Sequence, residues 1–257
     1  MEVALAEPAV DIINGDGEGR LLLICEHASN SVPASIELGV SEHILSSHSA
    51  WDPGALEVAR RLSERFDSPL VASRISRLVY DCNRPPHSPT AIVENTEYEV
   101  VPGNQNLTAS QRQERVDLAY LPFKSAVEKA LSGFDTKAVH PVMITIHSFT
   151  PEFKGKRRDV ELGILHDSDS RLADAMLEQA GVRSKMKICR NQPYTALDGV
   201  THTLCEHALP GELLNAMIEI RNDLLRDDES VLEISELLGD LIEHGMKACS
   251  GLRSGTA

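Results

Sequence analysis

Two short apolar runs, each followed within two residues by a histidine, constrain the fold of this 257-residue chain more than any other feature. Residues 21–25 are continuously apolar and lead into His27, and residues 142–146 lead into His147. Short apolar runs of this kind are typical of strands buried on both faces of a sheet. Because ligands bind beyond the carboxyl ends of parallel strands, we expect both histidines at one crevice.

Strand and helix patterns alternate along the rest of the chain. The spacing of apolar residues predicts helices and strands in turn, the helices over 55–66, 108–131, 168–180 and 231–246 and the strands over 70–72, 78–80, 160–165 and 216–220. This alternation predicts an α/β fold, a three-layer αβα sandwich with a mostly parallel or mixed central sheet. Residues 84–106 have no sustained period and are predicted to form a long loop at the active site.

The length and composition favour one folded domain. Apolar residues make up 42 % of the chain and charged residues 25 %, which are ordinary values for a globular protein. Residues 1–19 are rich in alanine, glycine and acids without a clear period, and we expect a flexible N-terminal arm there. Residues 20–257 are then expected to form a single catalytic domain.

Several protein classes are disfavoured by the composition. No apolar run approaches the roughly 20 residues of a membrane-spanning helix, and the N-terminus lacks the pattern of an export signal. Five scattered cysteines without a C-x-x-C pair predict reduced thiols, and we expect a cytoplasmic protein. A net charge of −14 makes nucleic acid and anionic membranes poor partners. An anionic substrate would need a local cationic patch, for which the arginines at 74, 77, 84, 157 and 158 are available.

The two histidines together indicate a zinc site. Singly, either His27 or His147 has an equally plausible role as an ordinary hydrogen-bonded residue. A catalytic zinc usually has three protein ligands, and Asp52 is the third that we predict. Asn30 is the rival position, although a neutral amide is a weaker zinc donor than a carboxylate. A helix N-cap is the alternative role of Asp52.

Four further residues are candidates for catalysis and substrate binding. Glu219 lies in an apolar strand, where it is either a proton shuttle of raised pKa or the partner of Arg221 in a salt bridge. Asn83 and Arg84 place an amide beside a guanidinium, a pair suited to capture of a carboxylate. Arg77 precedes the predicted strand at 78–80, and for each arginine a solvated surface position is the alternative.

Six segments in order resemble the N-formylglutamate amidohydrolase family, and the similarity extends over about residues 21–225. The segments are Glu-His-Ala-Ser at 26–29, Trp-Asp-Pro-Gly-Ala at 51–55, Ser-Arg-Leu-Val-Tyr-Asp-Cys-Asn-Arg-Pro-Pro at 76–86, His-Ser at 147–148, Gly-Val-Thr at 199–201 and Met-Ile-Glu-Ile-Arg-Asn-Asp at 217–223. Asp-x-Asn-Arg-Pro-Pro is the most specific of them. This family is distantly similar to zinc carboxypeptidases, which have an acid where this chain has Asn30.

The resemblance implies a zinc-dependent hydrolase that uses one zinc ion and cleaves a small anionic acyl amino acid, N-formylglutamate, to formate and glutamate. It implies that Glu219 transfers the protons, that Arg77 stabilises the oxyanion, and that Asn83 and Arg84 bind the substrate carboxylate. Formimino and other small N-acyl groups stay open as substrates.

Two other functions are compatible with the sequence. A cysteine hydrolase would use Cys25 beside His27, or Cys205 beside the histidines at 202 and 207. A metal-free protein that keeps the carboxylate clamp but lacks catalysis is the second alternative.

Overall fold

The computed structural model describes residues 8–137 and 139–253. Its strands are β1 (Val10–Ile13), β2 (Leu21–Cys25), β3 (Leu70–Ser73), β4 (Val142–Phe149), β5 (Glu152–Phe153), β6 (Lys156–Arg157), β7 (Leu162–Leu165), β8 (Ile188–Arg190) and β9 (Leu214–Arg221). Its α-helices are α1 (Glu42–Ser46), α2 (Ala55–Arg65), α3 (Ala109–Arg115), α4 (Leu121–Thr136), α5 (Arg171–Arg183) and α6 (Asp228–Arg253). No helix in the described part of the chain is long and apolar enough to cross a membrane.

Seven of these strands form one mixed sheet in the order β1-β3-β2-β4-β9-β7-β8. The strands β3, β2, β4 and β9 run parallel to one another, whereas β1 and β7 are antiparallel to their neighbours β3 and β9. Every residue of β2, β4 and β9 is buried, which explains why these segments are apolar without the alternation of a half-exposed strand.

Helices cover both faces of the sheet. On one face, α2, α5 and α6 contribute the core residues Leu62, Met176 and Leu238. On the other face, α4 and the long loop after β3 contribute Phe123 and Tyr80. The predicted three-layer αβα sandwich with a mixed central sheet is therefore confirmed.

The N-terminal segment differs from the expectation of a loose arm over residues 1–19. Val10–Ile13 pairs with β3 as an antiparallel edge strand, so the expectation is wrong for these residues. The strand is too short to show a clear period, and its backbone hydrogen bonds to β3 hold it in place. Residues 1–7 lie outside the described part of the chain, and the division into arm and single domain stays a prediction.

The strand predicted at 78–80 is also wrong. Residues 77–79 form a turn in which the Val79 N–H donates to the Ser76 carbonyl. Leu78, Val79 and Tyr80 are apolar because they are buried in the core on the α4 side of the sheet. Burial alone does not make a segment a strand.

The predicted helix from residue 108 is interrupted. Thr108 and Gln111 form the expected capping box, but a π-helical turn over Val116–Tyr120 separates α3 from α4. Pro122 lies two residues after this turn and has no N–H to donate to the carbonyl four residues earlier. The missing α-helical hydrogen bond accounts for the widened turn.

Gly54 lies in the short connection between Asp52 and α2, where the backbone conformation and the packing leave no room for a side chain. Its φ is +80°, and an added Cβ would lie 2.6 Å from the Leu225 side chain. We expect Gly54→Ala to lower the free energy of unfolding by about 1–3 kcal/mol, because backbone strain and overpacking act together. Urea denaturation measures this change.

Gly133 provides the control, since it lies in α4 with nothing within 4 Å of an added Cβ. Gly133→Ala should leave the stability unchanged or raise it by up to ~1 kcal/mol. Equal stabilities of the two variants would mean that the junction at Gly54 is not strained.

Candidate active site

Three side chains from separate segments converge at the carboxyl end of the sheet. His27 follows β2, His147 lies in β4, and Asp52 precedes α2. The Nδ1 atoms of His27 and His147 lie 3.1 and 2.9 Å from the same Asp52 Oδ2, and 3.3 Å from each other. All three residues are buried, with at most 3 % of their surface exposed. The structure thus brings together the three residues that the sequence suggested as metal ligands.

The donor set fits a zinc ion. Two ligands of a tetrahedral zinc at about 2.0–2.1 Å from the metal lie about 3.3 Å apart, close to the spacings seen between these atoms. Two imidazoles and one carboxylate are a donor set that zinc accepts, whereas calcium and magnesium prefer oxygen alone.

The charges around the cluster also fit a divalent cation. Glu26, Asp52 and Asp81 are buried carboxylates, and Arg77 is the guanidinium in contact with two of them. With both imidazoles neutral, as ligation requires, two negative charges of this group are left uncompensated. A buried charge without compensation is costly, and a divalent metal would supply it.

Asp52 points into the cluster and does not cap α2. The N-cap residue of α2 is Gly54, so the N-cap alternative for Asp52 is wrong. The Asn30 side chain donates to the Leu45 carbonyl, and Asn30 does not line the cavity that His27, Asp52 and His147 line, so the structure favours Asp52 over Asn30 as the third ligand.

Each histidine has a second carboxylate on its outer nitrogen. His27 Nε2 is 2.7 Å from Asp81 Oδ1, and His147 Nε2 is 3.2 Å from Glu26 Oε2. Histidine ligands of metals usually donate their second ring N–H to such an oxygen, which fixes the tautomer. Glu26 and Asp81 were not predicted as site residues, although Glu26 precedes His27 and Asp81 lies two residues before Asn83.

Electrostatic contacts within the cluster shift the pKa values of His147 and Asp52 in opposite directions. Burial lowers the pKa of His147, but Glu26 and Asp52 outweigh it and raise that pKa well above its usual range. For Asp52, burial favours the neutral acid, and yet the charge of His27 and hydrogen bonds from both imidazoles hold its pKa well below the usual range. Asp52 is therefore an anion at neutral pH and available as a ligand.

Glu219 lies beside this cluster. It pairs with His147 in the register of β9 and β4, so both side chains are on the same face of the sheet. Burial raises the pKa of Glu219 to about 7, and its Oε2 has no hydrogen-bond partner among the described residues. Arg221 pairs with Glu161 and Asp223, so the salt bridge considered between Glu219 and Arg221 does not form.

Arg77 bridges two carboxylates at the edge of the cluster. Its Nη1 donates to Asp52 over 3.3 Å and its Nη2 donates to Asp81 over 3.1 Å. The guanidinium is partly exposed and also lines the cavity above the cluster. Part of its hydrogen-bonding capacity therefore orients the two carboxylates.

Asn83 and Arg84 line the same cavity in different ways. The Asn83 side chain donates to the Val200 carbonyl and accepts from the backbone and hydroxyl of Thr203, which ties it to the neighbouring loop. Arg84 donates one hydrogen bond to the Asn83 carbonyl and makes no ion pair with any described residue. The Arg84 guanidinium is consequently available to pair with a bound anion.

The cavity has a volume of about 320 Å³. Its walls include residues that the sequence analysis did not select, among them His48, Glu97, Lys154 and Tyr194. These residues come from loops and from the β5–β6 hairpin, and no apolar period or motif in the sequence marks them. Glu97 accepts from the Lys154 N–H and lies 3.5 Å from His48 Nε2, which joins three segments of the outer wall.

The other arginines of the predicted cationic patch do not line the cavity. Arg74 pairs with Asp11, and Arg157 is exposed beside Asp159. Arg158 packs on aromatic rings, including that of Tyr194. Only the arginines at 77 and 84 from the predicted cationic patch therefore line the cavity.

The structure does not support a cysteine nucleophile. Cys25 is fully buried in the core on the opposite face of the sheet, and burial raises the pKa of its thiol well above the usual range. Burial also raises the pKa of Cys205, which does not line the cavity.

Two solved structures are similar to this chain over most of its length. The gene product Atu2144 from Agrobacterium tumefaciens is similar over 94 % of this chain and 96 % of its own, with 48 % identity and a TM-score of 0.92. The N-formylglutamate amidohydrolase from Ralstonia eutropha JMP134 shares the fold over 95 % of this chain and 99 % of its own, with 17 % identity and a TM-score of 0.68. No match was found among curated proteins.

A family model settles the relationship. The model of the N-formylglutamate amidohydrolases, hydrolases of carbon–nitrogen amide bonds, matches residues 19–226 and so includes the histidines, Asp52, the Asn83-Arg84 pair and Glu219. The chain therefore belongs to the N-formylglutamate amidohydrolase family.

Proposed function

We propose that this protein is a zinc-dependent amidohydrolase that converts N-formylglutamate to formate and glutamate in the cytoplasm. The observation that carries the proposal is the convergence of two imidazoles and Asp52 on one point, with Glu219 on the same face of the sheet. His27, Asp52 and His147 would hold the zinc. When bound, zinc polarises a carbonyl oxygen and lowers the pKa of a water molecule.

Glu219 is suited to move the protons of hydrolysis. Water adds to the formyl carbon as the C–N bond breaks, and the proton lost by the water must reach the departing nitrogen. A carboxyl group with a pKa near 7 can accept that proton and return it, because both of its protonation states are accessible at neutral pH. Desolvation in the sheet interior supports this role.

The substrate carboxylate is the proposed partner of Arg84. The Arg84 guanidinium makes no ion pair with a described residue, and its position in a cavity of about 320 Å³ favours a small anion over a polymer. Asn83 would hold Arg84 and the loop at 200–203 in place and present its amide to the same carboxylate. Arg77 would stabilise the developing negative charge with the N–H groups that its two carboxylates leave free.

Zinc dependence and substrate choice are tested together. We expect protein treated with a chelator to lose turnover of N-formylglutamate, and stoichiometric zinc to restore it, whereas magnesium and calcium should not. Released amine is measured for a panel of N-formyl, N-formimino and N-acetyl amino acids. Full turnover with less than about a tenth of an equivalent of metal would refute the zinc mechanism. Binding of the substrates without turnover at any zinc level would favour a carboxylate-binding protein.

Replacement of Glu219 tests the proton transfer. Glu219→Gln keeps the size of the side chain but cannot accept a proton, so we expect turnover to fall by at least about a hundredfold. Zinc content, measured by atomic absorption on the same samples, should stay at the wild-type level. Turnover within a few-fold of wild type would exclude Glu219 as the proton carrier.

Replacement of Arg84 tests the carboxylate clamp. A charge-assisted hydrogen bond is worth about 1.5–3 kcal/mol, so Arg84→Ala should raise KM for N-formylglutamate by about ten- to a hundredfold. Arg157→Ala is the matched control, since the Arg157 side chain is 83 % exposed and lies outside the cavity. Equal KM values in the two variants would contradict the clamp.

A further inference from the structure

Glu26 is a buried acid for which catalysis has no direct use. It is 1 % exposed, and its one ion-pair partner among the described residues is His147, whose Nε2 lies 3.2 Å from Oε2. Neither carboxylate oxygen has a well-formed hydrogen bond within the described part of the chain. Burying a carboxylate in this way is unfavourable unless a specific partner compensates for its charge.

The sheet register explains why Glu26 meets His147. Ile24 of β2 pairs with Thr145 of β4, and the chain continues two residues from each to Glu26 and His147. Successive side chains of a strand alternate between faces, so the two residues are neighbours on one face. The contact is thus dictated by the pairing of the central strands.

Asp81, the corresponding acid on His27, is held quite differently. It accepts from His27 Nε2, from the Asn83 N–H and from Arg77, which is a permanent cation. The charge of Asp81 is therefore compensated whatever happens at the imidazole. Glu26 has no permanent cation as an ion-pair partner among the described residues; its charge is offset mainly by His147, with smaller contributions from His27 and the Thr203 hydroxyl.

We propose that Glu26 is a positioning residue that acts through His147. Across their 3.2 Å contact, the Glu26 carboxylate would accept the Nε2–H of a neutral, zinc-ligating His147, which would leave the Nδ1 lone pair directed at Asp52 and His27, where the metal would bind. Glu26 thereby sets the affinity of the site for zinc without contacting zinc or substrate. The inference rests on the metal site of the proposed function.

Zinc affinity is the direct test, measured by competition with a chromophoric chelator and independent of any substrate. Loss of an outer partner of a ligand histidine typically weakens metal binding by about 10–100-fold, and we expect this for Glu26→Gln. Glu26→Asp keeps the buried charge but withdraws the carboxylate from Nε2, so it should also bind zinc more weakly than wild type. The aspartate variant keeps the test valid if the glutamine variant does not fold.

Glu161→Gln is the matched control, because Glu161 pairs with Arg221 away from the cluster. Its zinc affinity should equal that of wild type. Thermal unfolding with and without zinc separates positioning from a structural role: positioning reduces the zinc-dependent rise in Tm, whereas a structural role shifts both curves equally.

Wild-type zinc affinity in both Glu26 variants would overturn the inference and leave the proposed function intact. Failure of the wild-type protein to bind zinc would overturn both. Weaker zinc binding in both variants with an unchanged control would establish Glu26 as the positioning residue of His147.

Discussion

Two imidazoles and a carboxylate oxygen held within about 3 Å of one another in a buried environment are the constraint on which this structure depends. Such a group is stable only when charges and hydrogen bonds compensate its desolvation. Asp81, Glu26 and Arg77 surround it for this purpose. The polar interior at the carboxyl ends of the central strands therefore consists largely of groups that contact these three side chains.

The strand order of the mixed sheet brings the polar side chains of the candidate active site together. The parallel strands β2, β4 and β9 end side by side, so the residues at and after their ends share one crevice. Glu219 lies next to His147 because of strand register, and its raised pKa follows from burial in the same sheet. The burial of Glu219 in β9 therefore accounts both for its position beside His147 and for its raised pKa.

Although the protein is acidic, it presents a guanidinium to the cavity. The net charge of −14 is spread over the whole chain, whereas Arg84 faces the cavity without a carboxylate partner among the described residues. Local charge decides binding at contact distance, because exposed charges farther away are screened by salt. The overall charge discourages polyanions, and the cavity size restricts entry to small molecules.

The sequence alone determined the α/β class, the central strands and the residues at their ends. Continuous apolar runs and helical spacing are local signals, and His27, Asp52, His147, Arg84 and Glu219 stand in motifs whose order identifies the family. Weak local signals failed, as at the short edge strand Val10–Ile13 and at the turn over residues 77–79, where burial in the core imitates a strand pattern.

Only the tertiary structure decided how these residues meet. Three contacts depend on strand register and on loop paths between residues far apart in the chain: Asp52 Oδ2 lies between two imidazoles, Arg77 contacts two carboxylates, and Glu26 contacts His147. The outer wall with His48, Glu97 and Tyr194 arises in the same way. Such contacts have no period in the sequence, because they join segments whose separation along the chain carries no information about their distance in space.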